Sequence, residues 1–226
     1  MALLSERDRL TVRARLASIT QPVTLLFFTQ TIGAPDSVVV ARQILNDVAG
    51  LSDLIRVAEV NFVLEKDRVA DYGIVGVPAI VLLRNDQDTR MRFLGAPTGH
   101  EFMSLLQAII LAGIGDSGLS PESRALIAGG VTEAIEIKVF GTPTCPQCPQ
   151  AVALAHRMAV ESPFITSTCV DAIEFPGLSR EFRVNGVPKT VVSSANDAQL
   201  VELLGALPED ELVAAIVGLP PGRLSD

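Results

Sequence analysis

Apolar and polar positions along the chain fall into two rhythms. Val23-Thr24-Leu25-Leu26-Phe27-Phe28 and Ile135-Glu136-Ile137-Lys138-Val139-Phe140 are short runs rich in β-branched and aromatic residues, and they predict strands. Phe102, Leu105, Leu106 and Ile109 recur at three- and four-residue spacing, which predicts a helix over 99–112. Ser5-Glu6-Arg7-Asp8 reads as a capping-box start for a helix running to about Ile19. Ser120-Pro121-Glu122 offers serine as N-cap and proline as first helical residue for another. Carried along the whole chain, the rhythm predicts further helices over 36–49, 146–160 and 208–217. It predicts strands over 55–63, 79–84, 165–172 and 189–194, with short strands ending at Leu94-Gly95 and Leu204-Gly205. Strands alternate with helices at first and a hairpin closes each set, so the fold class is α/β with a mixed sheet.

The pattern occurs twice. Val75-Gly76-Val77-Pro78 returns as Asn185-Gly186-Val187-Pro188, and Leu94-Gly95 returns as Leu204-Gly205, both 110 residues later. The strand at Val23 returns at Ile135, 112 residues later, so one copy holds a small insertion. A period this long points to two units of one fold and not to a solenoid. The Gly-rich stretch Gly113–Leu119 divides them, giving units 1–116 and 117–226.

Composition narrows the class. The chain has 226 residues, 48% of them apolar, with a mean hydropathy of +0.39, enough for a sizeable core and too apolar for a disordered chain. It has no Trp and one Tyr, so Val, Leu, Ile and Ala must fill the interior. A net charge of −8 without any Lys/Arg cluster excludes a surface that tracks nucleic-acid phosphates. The apolar run within Leu105–Gly115 covers about half a bilayer span, and Met1–Arg9 carries charges where a signal peptide needs apolar residues. A cytoplasmic protein with no membrane partner is therefore expected. Three cysteines, an odd number, argue against a secreted disulfide scaffold.

Two of those cysteines carry the chemistry. Cys145-Pro146-Gln147-Cys148 follows the strand 135–140 and opens the next predicted helix. Unpaired N–H groups and the positive end of the helix dipole favour a thiolate there, below the free-cysteine pKa of about 8.5. Cys145 could then attack a disulfide and Cys148 resolve the mixed disulfide. Pro146 restrains the turn and removes no needed donor. Two other uses of the motif remain open at this level. Half a zinc site would need Cys169, His100 or His156 to complete it, and a cysteine hydrolase would need a facing His156. His156 otherwise reads as a solvated or partly packed helix residue, and Cys169 as a small buried strand side chain. Val187-Pro188 precedes a strand. A cis bond there could hold an exposed backbone edge for a substrate segment, but the dipeptide alone leaves cis and trans equally open.

The strand, the run Thr142-Pro143-Thr144-Cys145-Pro146-Gln147-Cys148-Pro149, the acidic strand end Asp171–Glu174 and Val187-Pro188 together resemble the thioredoxin/glutaredoxin superfamily. The tandem arrangement resembles the glutaredoxin-like protein disulfide oxidoreductases. It is also similar to the N-terminal domain of flavin-dependent alkyl hydroperoxide reductases. The resemblance implies two thioredoxin-like units, each a four-stranded mixed sheet flanked by helices. It implies Cys145 as exposed nucleophile, Cys148 as buried resolving thiol, and Pro188 as a cis proline facing them. The implied activity is dithiol–disulfide exchange on protein substrates, part of cell redox homeostasis, with no metal or organic cofactor beyond the Cys145–Cys148 disulfide. The first unit departs from this pattern, because Gly33-Ala34-Pro35-Asp36 stands where the second has Cys-Pro-Gln-Cys. It keeps Val77-Pro78 but no sulfur, and so reads as a degenerate unit that packs on the active one or binds partners.

Two further functions stay in view. One is an electron-relay adaptor between a flavoprotein disulfide reductase and a peroxiredoxin, and the other is a non-enzymatic docking module. Gly113-Ile114-Gly115-Asp116-Ser117-Gly118 fits the dinucleotide fingerprint, but it follows a helical pattern, where Gly113 is expected to end the helix. Glu209-Asp210-Glu211 reads as first-turn helix charge.

Overall fold

The computed structural model describes residues 5–194 and 200–218; Met1–Leu4, part of the N-terminal segment considered above, lie outside them. The elements are α1 (Glu6–Leu16), β1 (Val23–Thr29), α2 (Ser37–Ala49), β2 (Ile55–Asn61), α3 (Lys66–Asp71), β3 (Ala79–Arg84), β4 (Gln87–Leu94) and α4 (Glu101–Ile114), and then α5 (Pro121–Gly130), β5 (Ile135–Gly141), α6 (Cys148–Glu161), β6 (Ile165–Asp171), α7 (Pro176–Glu181), β7 (Lys189–Ser194), β8 (Leu200–Leu204) and α8 (Glu209–Val217). Caps behave as the sequence suggests. Ser5 Oγ accepts from the Asp8 N–H and Ser120 Oγ from the Ser123 N–H, each tying down an orphan first-turn donor.

Each half contributes four strands, β2-β1-β3-β4 and β6-β5-β7-β8, with parallel inner pairs and an antiparallel hairpin. The two sets do not stay separate. β4 pairs in parallel with β6, Met91–Leu94 against Ser167–Val170, making one eight-stranded sheet. The paired segments are buried although Arg92, Ser167 and Thr168 lie among Met91, Phe93, Leu94, Cys169 and Val170, and each strand lacks another neighbour on that side. The main core lies on one face, under α2, α4 and α6, and a smaller cluster around Phe28, Phe140 and Val170 lies on the other, under α3 and α7.

Two expectations are corrected here. Gly113 does not end α4. It is buried inside the helix against Ile19, and the helix closes two residues later on Gly115, which is left-handed at φ 74°. The short helices α3 and α7 were not expected from the sequence. No helix among the described residues is long and apolar enough to cross a membrane.

The strand directions place one edge of the sheet in common. β1, β2, β4, β5 and β6 run the same way, and β3 and β7 run against them. The β1–α2 loop, the β5–α6 loop and the two Val-Pro elements therefore all fall along a single edge.

Candidate functional site

The site sits where β5 ends and α6 begins. Cys145 and Cys148 are joined by a disulfide of S–S 2.11 Å with Cα atoms 5.5 Å apart. Gln147 occupies the N-cap position of α6 without a side-chain cap hydrogen bond. The Cys148 N–H donates instead to Cys145 Sγ at 3.1 Å, so the sulfur takes the place that a capping oxygen usually holds. A thiolate there would accept a charge-assisted hydrogen bond at the positive end of a fourteen-residue helix. The Cys145 N–H donates to the Thr142 carbonyl at 3.1 Å, which closes the turn. Pro146 and Gln147 are exposed at its tip.

The expected exposure of the sulfurs is corrected in degree. Cys145 is 7% exposed and Cys148 1%, so the order holds, but the nucleophile is a sulfur at the surface rim and not a freely exposed one. The β5–β7 register sets Phe140 opposite Lys189, which brings Pro188 beside Gly141 at the root of the dithiol loop. Both Val77–Pro78 and Val187–Pro188 are cis. Val187 is half-buried and Pro188 buried, with its carbonyl accepting from the Gly205 N–H at 2.9 Å. The dithiol opens onto the sheet edge and not into a cavity. A cavity of about 720 Å³ lies elsewhere, lined by Arg92, Glu136, Lys138 and Thr168 toward the opposite end of the strands.

The first unit reaches into this site. The segment between β4 and α4 runs under the dithiol loop: Gly95 packs against Asp171, the Ala96 N–H donates to Glu174 Oε1 at 2.8 Å, and the His100 N–H donates to the Pro143 carbonyl at 2.8 Å. Gly99 lies against that same carbonyl. The next residue but one, Glu101, opens α4 and is almost fully buried, and its Oε1 has no hydrogen-bond partner. Glu101 Oε1 and Cys148 Sγ lie 3.5 and 3.4 Å from the point where a Gly141 side chain would begin. Burial, then repulsion from Asp171 and Glu174, pushes the Glu101 carboxyl up to about 8. The carboxyl and the inner sulfur thus approach the same point beside Gly141, where a group part-ionised near neutrality could exchange a proton with the sulfur. Nothing in the sequence singles out Glu101; its counterpart 110 residues later, Glu211, sits exposed in the first turn of α8.

The remaining candidates lie apart from the site. Cys169 is a buried free thiol, pushed well above its ordinary range first by burial and then by Glu101 and Asp171, so it is no nucleophile at neutral pH. His156 is corrected outright. It is fully buried, stacked edge-on to Phe93 with Nδ1 2.9 Å from Ser167 Oγ, and burial lowers it to about 3, keeping it neutral. The sequence missed this because its helix faces α4 of the other unit, a partner no local pattern announces. His100 lies at the N-cap of α4. Among the described residues no three His, Cys, Asp or Glu side chains are grouped as a metal site requires.

Comparison with known proteins agrees with this geometry. Residues 135–218 match the thioredoxin domain family. The chain is similar to the alkyl hydroperoxide reductase AhpF of Escherichia coli (strain K12), 26% identical over 216 residues, 95% of this chain and 37% of that protein. It is also similar to the corresponding reductase of Staphylococcus epidermidis (strain ATCC 12228), 28% identical over 151 residues, 66% of this chain and 27% of that one. The chain thus spans well under half the length of these curated relatives. Among solved structures, the NTD_N/C domain of alkylhydroperoxide reductase AhpF from Enterococcus faecalis superposes with a TM-score of 0.85 at 27% identity, covering 94% of this chain and 99% of that one. A protein disulfide oxidoreductase from Aeropyrum pernix shares the fold, with a TM-score of 0.83 at 24% identity over 94% of this chain and 92% of that one.

Proposed function

We propose that this chain, a tandem thioredoxin-fold protein whose second unit carries the thioredoxin domain, exchanges disulfides with protein substrates through Cys145 and Cys148. The observation that carries the proposal is the sulfur pair itself: bonded, at the sheet edge, with the outer sulfur accepting the first-turn N–H of α6. In the reduced form, the Cys145 thiolate attacks one sulfur of a client disulfide. A Cys145–client mixed disulfide forms and one client thiolate leaves. Cys148 then gives its proton to Glu101 and attacks Cys145 Sγ. The Cys145–Cys148 disulfide forms and the second client thiolate leaves, so two electrons pass to the client. Pro188 and Val187 flank the outer sulfur and hold the client backbone, and the turn residues Pro146 and Gln147 face it. The pair of sulfurs is the only redox group this scheme requires, and the reading places the protein in the cytoplasm.

The test is insulin-disulfide reduction driven by dithiothreitol. Wild type is expected to accelerate precipitation of the insulin B chain, and Cys145→Ser to abolish the acceleration. Equal rates for the two would overturn the proposal.

A second reading is favoured by the similarity to the alkyl hydroperoxide reductase AhpF over most of this chain. In it the same dithiol relays electrons from a flavoprotein disulfide reductase to a peroxiredoxin. Peroxide-dependent turnover in a mixture of all three proteins supports it, and no turnover above the mixture lacking this chain counts against it.

A further inference from the structure

The degenerate unit has lost its sulfurs but has not become polar where they were. Four of its large apolar side chains stand in solvent around the vestigial site: Ile32 in the β1–α2 loop (90% exposed), Val63 and Leu64 after β2 (49% and 79%), and Val75 before Val77-Pro78 (62%). The repeat allows a comparison within one molecule. The active unit has Thr144 where the degenerate one has Ile32, Glu174 where it has Leu64, and Asn185 where it has Val75; only Val63 meets an apolar counterpart, Ile173. Three polar positions have become exposed apolar ones on the unit that does no chemistry. Large exposed apolar groups cost solubility, and a cluster of them at one loop set marks a contact surface.

The position of the cluster says what it contacts. It lies on the same sheet edge as the dithiol, and the two stretches are joined without a gap. Gly76 packs on the Phe175 ring at the start of α7, Gly95 on Asp171, and Gly99 on Pro143 of the dithiol loop. From β3, the nearest strand of the cluster, to β7 is four strand steps along the sheet, and from β2, which leads to Val63 and Leu64, it is six: roughly 19 and 29 Å at about 4.8 Å per step. An extended polypeptide covers those distances in about six and about nine residues.

We propose that the vestigial edge is a second docking subsite for the same client polypeptide that is reduced at Cys145, taking apolar side chains about six to nine residues from the client's reacting cysteine. This rests on the disulfide-exchange reading, and it makes the degenerate unit a specificity element for extended clients. Alternating side chains of the client fill the apolar positions at one end while its cysteine sits against Pro188 at the other.

The test uses the full chain and two fluorescent peptides, each with one cysteine activated as a mixed disulfide with thionitrobenzoate. One is a three-residue peptide. The other has nineteen residues with leucines six and nine positions from the cysteine on either side. The variant combines Ile32→Thr, Leu64→Glu and Val75→Asn, which places the active unit's own residues on exposed positions. Release of thionitrobenzoate reports exchange, and anisotropy in the Cys145→Ser background reports binding without it. The expected result is about tenfold weaker binding and, with protein reduced beforehand and used in excess over peptide, a tenfold higher half-saturating protein concentration for single-turnover release from the long peptide in the triple variant. The limiting release rate, and release from the short peptide, stay at the wild-type values. Equal binding of the long peptide by wild type and variant overturns the proposal. So does a wild-type dimer in sedimentation that the triple variant dissociates, because it would give this face to a second copy of the chain. Failure of the exchange reading shows separately, as no release from the short peptide beyond that of Cys145→Ser, and the anisotropy arm then still decides the docking.

Discussion

Glu101 is the residue whose removal separates chemistry from stability. Its carboxyl titrates near 8 in the folded chain and near 4.5 when free. Between those values the folded state holds a proton that the unfolded chain has released, so stability falls as pH rises through that window and levels off above it. Glu101→Gln keeps the shape and removes the titration. At pH 9 the variant is expected to melt about 5 °C or more above wild type, and at pH 4 the two should coincide. Exchange should move the other way, slowing about tenfold or more, with the inflection near pH 8 in the wild-type rate profile absent from the variant. A variant that keeps both the rate and the inflection would remove Glu101 from the proton path. The cysteine pair was legible in the sequence because its chemistry is local: two sulfurs, one turn and one helix start lie within a few residues. Glu101 was not, because a glutamate in the first turn of a helix is ordinary, as Glu211 shows at the matching place in the other unit. Only its burial beneath the dithiol loop sets it apart, and the proposed proton role rests on that. His156 failed in the same way: Ser167 on the next strand is near in sequence, but Phe93, against which the ring stacks, comes from the other unit.

At the scale of elements, the segment from Gly95 to Glu101 holds the dithiol loop in place, and glycine is required there for two separable reasons. Gly99 has φ 53°, a left-handed backbone in which a side chain costs about 1 kcal/mol or more, and it also lies against the Pro143 carbonyl. Gly73 has φ 64° with nothing within 4 Å of where a side chain would start. Gly73→Ala and Gly99→Ala should therefore lose similar backbone energy, and only Gly99→Ala should also push on the loop that presents Cys145. Urea denaturation is expected to show Gly73→Ala destabilised by about 1–2 kcal/mol and Gly99→Ala clearly more, because its side chain would overlap the Pro143 carbonyl and the backbone there must shift. Insulin reduction should slow in Gly99→Ala alone. Equal activity in the two would mean the loop does not depend on this contact. The regular elements were readable to within a few residues, since β-branched runs, Ser caps and glycine stops act locally. The helices α3 and α7 were not. Each is six residues long, without a side-chain cap, and is held by the Phe28 and Phe140 cluster beneath it and not by a pattern of its own.

For the molecule as a whole, the repeat was legible and the join was not. Pairing of β4 with β6 leaves no trace in either strand, since QDTRMRFL and ITSTCVD mix polar and apolar residues as an edge strand would. Yet the join determines what the second unit can do alone. Its own strand order, β6-β5-β7-β8, ends on β6, whose Ser167, Thr168, Cys169 and Val170 are buried against β4 in the whole chain. Expressed as residues 117–226, that strand becomes an open edge whose one charged residue, Asp171, sits at its end and leaves Ser167–Val170 with no charge to discourage pairing. The outer strands of the intact sheet differ, β2 carrying Arg56 and Glu59 and β8 carrying Glu202. The excised unit also loses Glu101 and the backbone hydrogen bond from His100 to Pro143. The fragment is expected to self-associate in size-exclusion chromatography and to unfold at a lower urea midpoint than the full chain. Whatever fraction stays monomeric should reduce insulin about tenfold or more slowly, the loss that Glu101→Gln produces in the full chain. A monomeric fragment with the full exchange rate would show instead that the first unit supplies neither the edge nor the proton acceptor, and would confine the chemistry to the second.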